Sequence, residues 1–193
     1  MNVLHLGCPY FPYSGGSSQR LRNLVTMYEQ HGIYKLHLAT PTPSPSGKEE
    51  DNTPFDSVLR DERINSLFFS RRLYRFIARS KPDVVILHNS RALLKWLLWY
   101  KILFPRTKVV LEVHSIRSGG ALKDAANRFI YKFIDGALII WTVAGQYYLM
   151  FVPKTCSKYA NSLANNYNTL PLVKRANICK CHRRRIILLS WPR

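Results

Sequence analysis

Apolar positions along the chain switch between the spacing of strands and the spacing of helices, and the switches cut the sequence into short alternating elements. Residues 2–7, NVLHLG, predict a strand that runs into Cys8-Pro-Tyr-Phe-Pro-Tyr-Ser-Gly-Gly-Ser-Ser, a βα loop. Ser17 and Ser18 then serve as N-caps, and Leu21, Leu24, Val25 and Tyr28 keep helical spacing until His31-Gly32. A second strand fits Lys35–Thr40, and TPTPSPSGKEEDNTP after it reads as a surface loop. The next helix is predicted over 67–79, with Phe69, Leu73, Phe76 and Ile77 on one face, Arg72, Arg75 and Arg79 on another, and Pro82 as its stop.

Three similar units follow: a strand over 83–88, a helix over 91–104 and a strand over 108–114; then a helix through Leu122, Ala126, Phe129, Ile130 and Phe133, and a strand over 136–140. Apolar runs set between helices must be buried on both faces, which is the condition of a parallel sheet covered on both sides. The fold class is therefore α/β, a Rossmann-like doubly wound parallel sheet forming a single domain over residues 1–150. Residues 151–193, with NSLANNYN and CKCHRRR, show no alternation of this kind and form an irregular basic tail.

Composition refines this picture. A chain of 193 residues that is 47% apolar can bury a core, so disorder along its whole length is excluded. Lysine and arginine number 29 against 11 acids, which points to an anionic partner: membrane lipid, phosphate or nucleic acid. Every acid lies at or before Asp135, leaving residues 136–193 with nine basic residues and none acidic. Ordinary composition would place roughly seven carboxylates there. Cysteines at 8, 156, 179 and 181 lack the spacing of a disulfide framework, and the first residues lack a signal core, so a cytoplasmic setting is expected. The stretch Gly136 to Val152 is weakly polar but short for a membrane span.

In open α/β sheets ligands bind beyond the carboxyl ends of the strands, and polar residues stand at those ends here: His88-Asn89-Ser90, Glu112-Val113-His114-Ser115 and Trp141-Thr142. Gly15 and Gly16 precede a helix start, where backbone amides can meet an anion; a plain βα turn accounts for them equally. Glu112 and His114 share a strand face and could hold sugar hydroxyls or move a proton, unless the histidine serves packing. Cys179, Cys181 and His182 find no second ligand pair to complete a zinc site. Arg71, Arg72, Arg75 and Arg79 alternate with Phe68, Phe69, Tyr74 and Phe76, and LLKWLLWYKILF sets Trp96, Trp99 and Tyr100 beside Lys95 and Lys101. Either these dock on anionic lipid or the arginines solvate a face over buried aromatics.

Taken together, NVLHLGCPYFPYSGGSSQR, PDVVILHNS, KVVLEVHS and FIDGALII followed by Thr142 resemble the N-terminal domain of family 4-like glycosyltransferases, one half of the two-domain GT-B architecture. The resemblance implies transfer of a sugar from a nucleotide-sugar donor to a glycan or lipid-linked acceptor, with retention and with neither metal nor cofactor. It assigns Gly15 and Gly16 to the donor diphosphate, His114 to catalysis at the donor sugar, and Gln19, Arg20, His88, Asn89, Ser90 and Glu112 to the acceptor side. The family's second domain carries most of the nucleotide site, including a pair of glutamates, and no acid follows Asp135. The expectation is a truncated, frame-altered or split gene product, inactive until a C-terminal domain, as a separate chain, completes it. An anionic membrane surface at the cytoplasmic face is a further expected partner, and nucleic acid is not. The competing class is a non-catalytic basic module that binds anionic lipid or nucleic acid.

Overall fold

The structure is a computed structural model, and it describes residues 1–10, 16–31, 35–43, 54–88, 90–113, 133–143, 146–153 and 188–190. It divides into two compact units, Met1–Val110 and Leu111–Arg193. Strands β1 (Asn2–Leu6), β2 (Lys35–Thr40), β3 (Ser57–Arg60), β4 (Val84–Leu87) and β5 (Lys108–Val113) form a parallel sheet in the order β3-β2-β1-β4-β5. This is the Rossmann order, with its reversal of direction between β1 and β4. The predicted fold class holds, with β3 added: its four residues, SVLR, are too few to show a period.

The apolar pattern explains the core. β1 pairs with β2 on one side and β4 on the other, and Val3, Leu4 and Leu6 are buried with Leu36, Leu38, Val85 and Leu87 beside them. Helix α1 (Gly16–His31) covers the sheet with Leu21, Leu24 and Val25. It starts at Gly16, so Ser17 and Ser18 lie in its first turn and do not cap it. The amino-terminal edge of the sheet is closed by hydrogen bonds. Asn2 donates its amide to Asp83 Oδ2 at 2.7 Å and its side-chain amide to Ser80 O at 3.2 Å, while Thr107 Oγ1 donates to Pro82 O at 3.2 Å.

Helix α2 (Arg71–Ser80) is shorter than the predicted span, because Ser70 caps it: Ser70 Oγ accepts the amide of Leu73 at 3.2 Å. Phe69 therefore precedes the helix and leaves its apolar face to Leu73 and Ile77. Its end is a left-handed Lys81, whose amide donates to Ile77 O before Pro82. Helix α3 (Ser90–Lys95) runs on through one π-helical turn, Trp96–Tyr100, into α4 (Lys101–Leu103). The wide turn brings both Trp96 and Tyr100 inward, fully buried. Lys95 is buried as well, its Nζ donating to Arg63 O at 3.2 Å, and burial lowers its pKa. The reading of Trp96, Tyr100 and Lys95 as a docking surface is thus corrected: three of its residues are core, and only Trp99 and its apolar neighbours face outward.

In the second unit, β6 (Gly136–Val143) and β7 (Gln146–Pro153) pair antiparallel, with Val143 opposite Gln146, and β8 (Leu188–Ser190) pairs antiparallel with β7. The strand predicted over 136–140 is longer, and the weakly polar stretch is a strand pair with two residues between, Ala144-Gly145. Among the described residues no helix is long and apolar enough to cross a membrane. Of residues 151–193, the first three complete β7 and Leu188–Ser190 form β8; the rest, with Cys179, Cys181 and His182, lie outside the described residues, as does the helix predicted through Leu122 to Ile130.

Tyr100 ties α2 to the helix carrying it: its hydroxyl donates to Ser70 O at 3.1 Å and receives the Ser70 amide at 3.4 Å. Burial, with Asp61 adding to it, pushes its pKa up to about 12 despite the Ser70 hydrogen bond. Tyr100→Phe leaves the buried Ser70 amide unpaired, while Ser70 O keeps the Tyr74 amide at 2.9 Å, and should cost about 1–3 kcal/mol in denaturant unfolding. Ser70→Ala, which removes the cap, should cost about 1 kcal/mol. A loss under a few tenths in both would show that this junction does not hold the helices.

Candidate functional site at the carboxyl edge of the sheet

Where the sheet reverses, the carboxyl ends of β1 and β4 lie side by side. The His88 amide donates to Leu6 O at 3.0 Å, one residue beyond the paired strands. Across the same junction His5 Nδ1 and His88 Nε2 stand 2.9 Å apart, with ring centroids at 5.2 Å and planes 27° apart. His5 is fully buried inside β1, with Tyr28 of α1 at 5.7 Å and Phe55 at 6.5 Å between ring centroids. Burial drives its pKa from the ordinary 6.5 to about 3, so it is neutral at physiological pH. One proton serves the contact: whichever ring donates, the other presents a bare nitrogen. His5 Nε2 has no hydrogen-bond partner among the described residues. His5 thus orients half-buried His88 from beneath, at the place where such folds take their ligands.

The loop that leaves β1 is held by its backbone. Gly7 has φ 84°, a conformation side chains disfavour, and its amide donates to Ala39 O at 2.9 Å. Tyr10 donates its amide to Thr42 Oγ1 at 3.0 Å, and Arg60 reaches Thr42 O and Pro43 O, so β1, β2 and β3 are tied at this edge. Cys8 is buried, and desolvation raises its thiol to about 12 against the opposing field of Arg20. It is a packing residue and not a nucleophile.

Gly16 opens α1, and a Cβ built there meets nothing within 4 Å. Among the described residues neither packing nor backbone conformation demands glycine at this position. In the same first turn Ser18 is fully buried, and its Oγ has no partner among the described residues. A helix start with room at its first residue suits an anion.

The other predicted residues divide. Arg20 is half-buried on α1 near Cys8, and exposed Gln19 donates to Asn23 Oδ1 at 3.3 Å, along its own helix. Ser90 opens α3 directly after the His88 junction. Glu112 is buried in β5, in the second unit. Gly15, Asn89 and His114 lie outside the described residues. Sequence reasoning missed His5 and Gly7. The signal for His5 was a lone imidazole inside the apolar run NVLHL, read against the rule that the first and fourth strands of this fold are neighbours.

A folded-state pKa below the unfolded one means that His5 contributes stability above about pH 6.5 that is lost as pH falls toward about 3. Between pH 7 and pH 5 the loss attributable to this group should be about 2 kcal/mol. His5→Gln should flatten the fall of Tm over that interval relative to the native chain. Parallel profiles would mean that His5 titrates alike in both states.

The family model described as Glycosyltransferase Family 4 matches residues 14–145, from the glycines before α1 to the end of β6. Among solved structures, the chain is similar to a DNA/pantothenate metabolism flavoprotein from Streptococcus pneumoniae, at 11% identity and a TM-score of 0.42, covering 87% of this chain and 98% of that one. It is also similar to a dTDP-glucose 4,6-dehydratase from Bacillus anthracis str. Ames, solved in complex with NAD, at 17% identity and a TM-score of 0.37, covering 62% of this chain and 41% of that one. Likeness at this level bears on no function. A search of curated proteins returns no match. The family match spans well over half of the sequence and takes in the helix start, the β1–β4 junction's second strand and the strands beyond it: the chain belongs to glycosyltransferase family 4.

Proposed function

We propose that the chain is the acceptor-side half of a retaining glycosyltransferase, moving a sugar from a nucleotide-sugar donor to a glycan or lipid-linked acceptor in polysaccharide assembly at the cytoplasmic face of a membrane. The observation that carries this reading is the family match over residues 14–145, joined to the open space at Gly16 and the histidine pair at the reversal point. A second Rossmann-like half, as a further domain or separate chain, would hold most of the nucleotide, and the chain by itself would be inactive.

In this reading the amides at Gly15 and Gly16 receive the donor diphosphate, whose negative charge rises as the sugar departs. Glycine matters there because a side chain would fill the space that the phosphate oxygens need. His88, held by His5, hydrogen-bonds an acceptor hydroxyl together with Asn89 and Ser90, and Gln19 and Arg20 extend the acceptor side along α1. Glu112 is assigned to the acceptor side and His114 to the transferred sugar on the family resemblance alone. The residues need neither metal nor cofactor for these roles.

The test pairs the chain with a second Rossmann-like half and follows release of nucleoside diphosphate from a panel of nucleotide sugars. Gly16→Val should abolish release while unfolding stays cooperative. His114→Ala should lower turnover by roughly 10²–10⁴-fold if it moves a proton, with little change in Tm. Full activity in both variants would remove these residues from the site, and failure of every donor in the paired enzyme would contradict the reading.

A further inference from the structure

The first unit exposes an apolar patch that its own fold leaves uncovered. Phe68 is 82% exposed and Ile102 is 74% exposed, and Leu67, Phe69, Leu98, Trp99 and Leu103 are exposed around them. The patch is continuous across two elements. Trp99 Nε1 donates to Leu67 O at 3.3 Å, and the rings of Phe69 and Trp99 meet edge to face at 6.0 Å. Leu98 and Trp99 lie one turn before Ile102 and Leu103 on the same helix. A cluster of this size is uncommon on the surface of a soluble monomer.

Its surroundings are cationic. Arg71, Arg72, Arg75 and Arg79 are all exposed on α2, which begins two residues after Phe69, and Arg106 is exposed beyond α4. From Leu67 to Arg106 the sequence holds nine lysines and arginines and a single acid, Asp83, which lies at the opposite end of α2 from Phe68. The nearest other acids are Asp61, whose Oδ2 accepts the Ser70 hydroxyl at 3.4 Å, and the exposed Glu62. The patch does not follow from packing need: Phe69 stacks on Tyr100 at 6.1 Å and so roots the cluster in the core, while Phe68 and Ile102 extend away from it.

We propose that this surface docks the chain on an anionic lipid bilayer, with Phe68, Trp99 and Ile102 entering the interface and the α2 arginines on the headgroups. Charge complementarity selects this occupant. A second copy of the chain would set like-charged arginine rows against each other, and an apolar protein face would leave the arginines without partners. Nucleic acid would engage the arginines but offers aliphatic Leu67, Leu98, Ile102 and Leu103 nothing to enter. Lipid satisfies both parts of the surface, since rings and aliphatic side chains insert at headgroup depth while cations stay at phosphate level. The docking is independent of sugar transfer, and its test does not use activity.

Sedimentation of the full chain should be compared with vesicles of phosphatidylcholine and with vesicles of phosphatidylcholine mixed with phosphatidylglycerol. Binding is expected to the mixed vesicles and to weaken with salt. Replacing Arg71, Arg72, Arg75 and Arg79 by glutamine should lower it by up to roughly fivefold per residue. The pair Phe68→Ser and Ile102→Ser, both at exposed positions, should lower it by about tenfold or more. Trp99 reports insertion directly: its emission should shift to the blue and resist acrylamide on the mixed vesicles, and that change should vanish in Trp99→Phe. Equal binding to both vesicle types, insensitivity to all these variants, competition by polyuridylate that tracks the apolar pair, or self-association that the apolar pair abolishes while vesicles stay unbound would each overturn the proposal.

Discussion

Everything in the first unit depends on β1 being an interior strand. It pairs in parallel with β2 and β4, so its backbone is consumed on both edges and its side chains are enclosed on both faces. Such a strand tolerates a polar side chain only if burial can be met without charge. His5 meets it by staying neutral and sharing one proton with His88 across the strand boundary. The reversal of strand order at β1 and β4 puts this shared contact at the edge where open α/β sheets commonly take their ligands.

The two edges of the sheet then differ in kind. At the amino-terminal edge, Asn2 bonds to Ser80 and Asp83 and Thr107 bonds to Pro82, which closes that end. The carboxyl edge keeps buried polar atoms without partners among the described residues, His5 Nε2 and Ser18 Oγ, and open space at Gly16. Buried polar atoms left without partners cost stability. Among the described residues His37 Nε2, Asn65 Oδ1 and Trp96 Nε1 are of the same kind, so the family assignment rests on the match over residues 14–145.

Much of the fold was legible in the order of elements. Apolar β-branched runs such as DVVIL and KVVLEV, each followed or preceded by a helical period, demand a parallel sheet because no solvent face is available to them. What resisted reading was short or two-sided. SVLR is too brief to carry a period, and GALIIWTV with QYYLMFVP looks alike as a buried strand and as a weak membrane segment until the Ala144-Gly145 break is weighed. Trp96, Tyr100 and Lys95 resisted for a different reason: LLKWLLWYKILF is so rich in apolar and aromatic residues that docking and burial both stayed open, and the structure places these three in the core. The site was legible at His88 and Gly16, which stand at element ends. His5 was hidden because a histidine inside a strand carries no local motif, and its meaning comes from a neighbour 83 residues away.

The account turns on the state of His5, and imidazole nitrogen resonances followed from pH 7.5 downward read that state directly. The structure requires His5 to remain a single neutral tautomer below pH 5, with a nitrogen shift typical of a ring held in one hydrogen bond, and requires that resonance to move in His88→Ala while the protein stays folded. A His5 that titrates near pH 6.5 and takes no notice of His88→Ala would contradict the central contact and, with it, the placement of the functional edge.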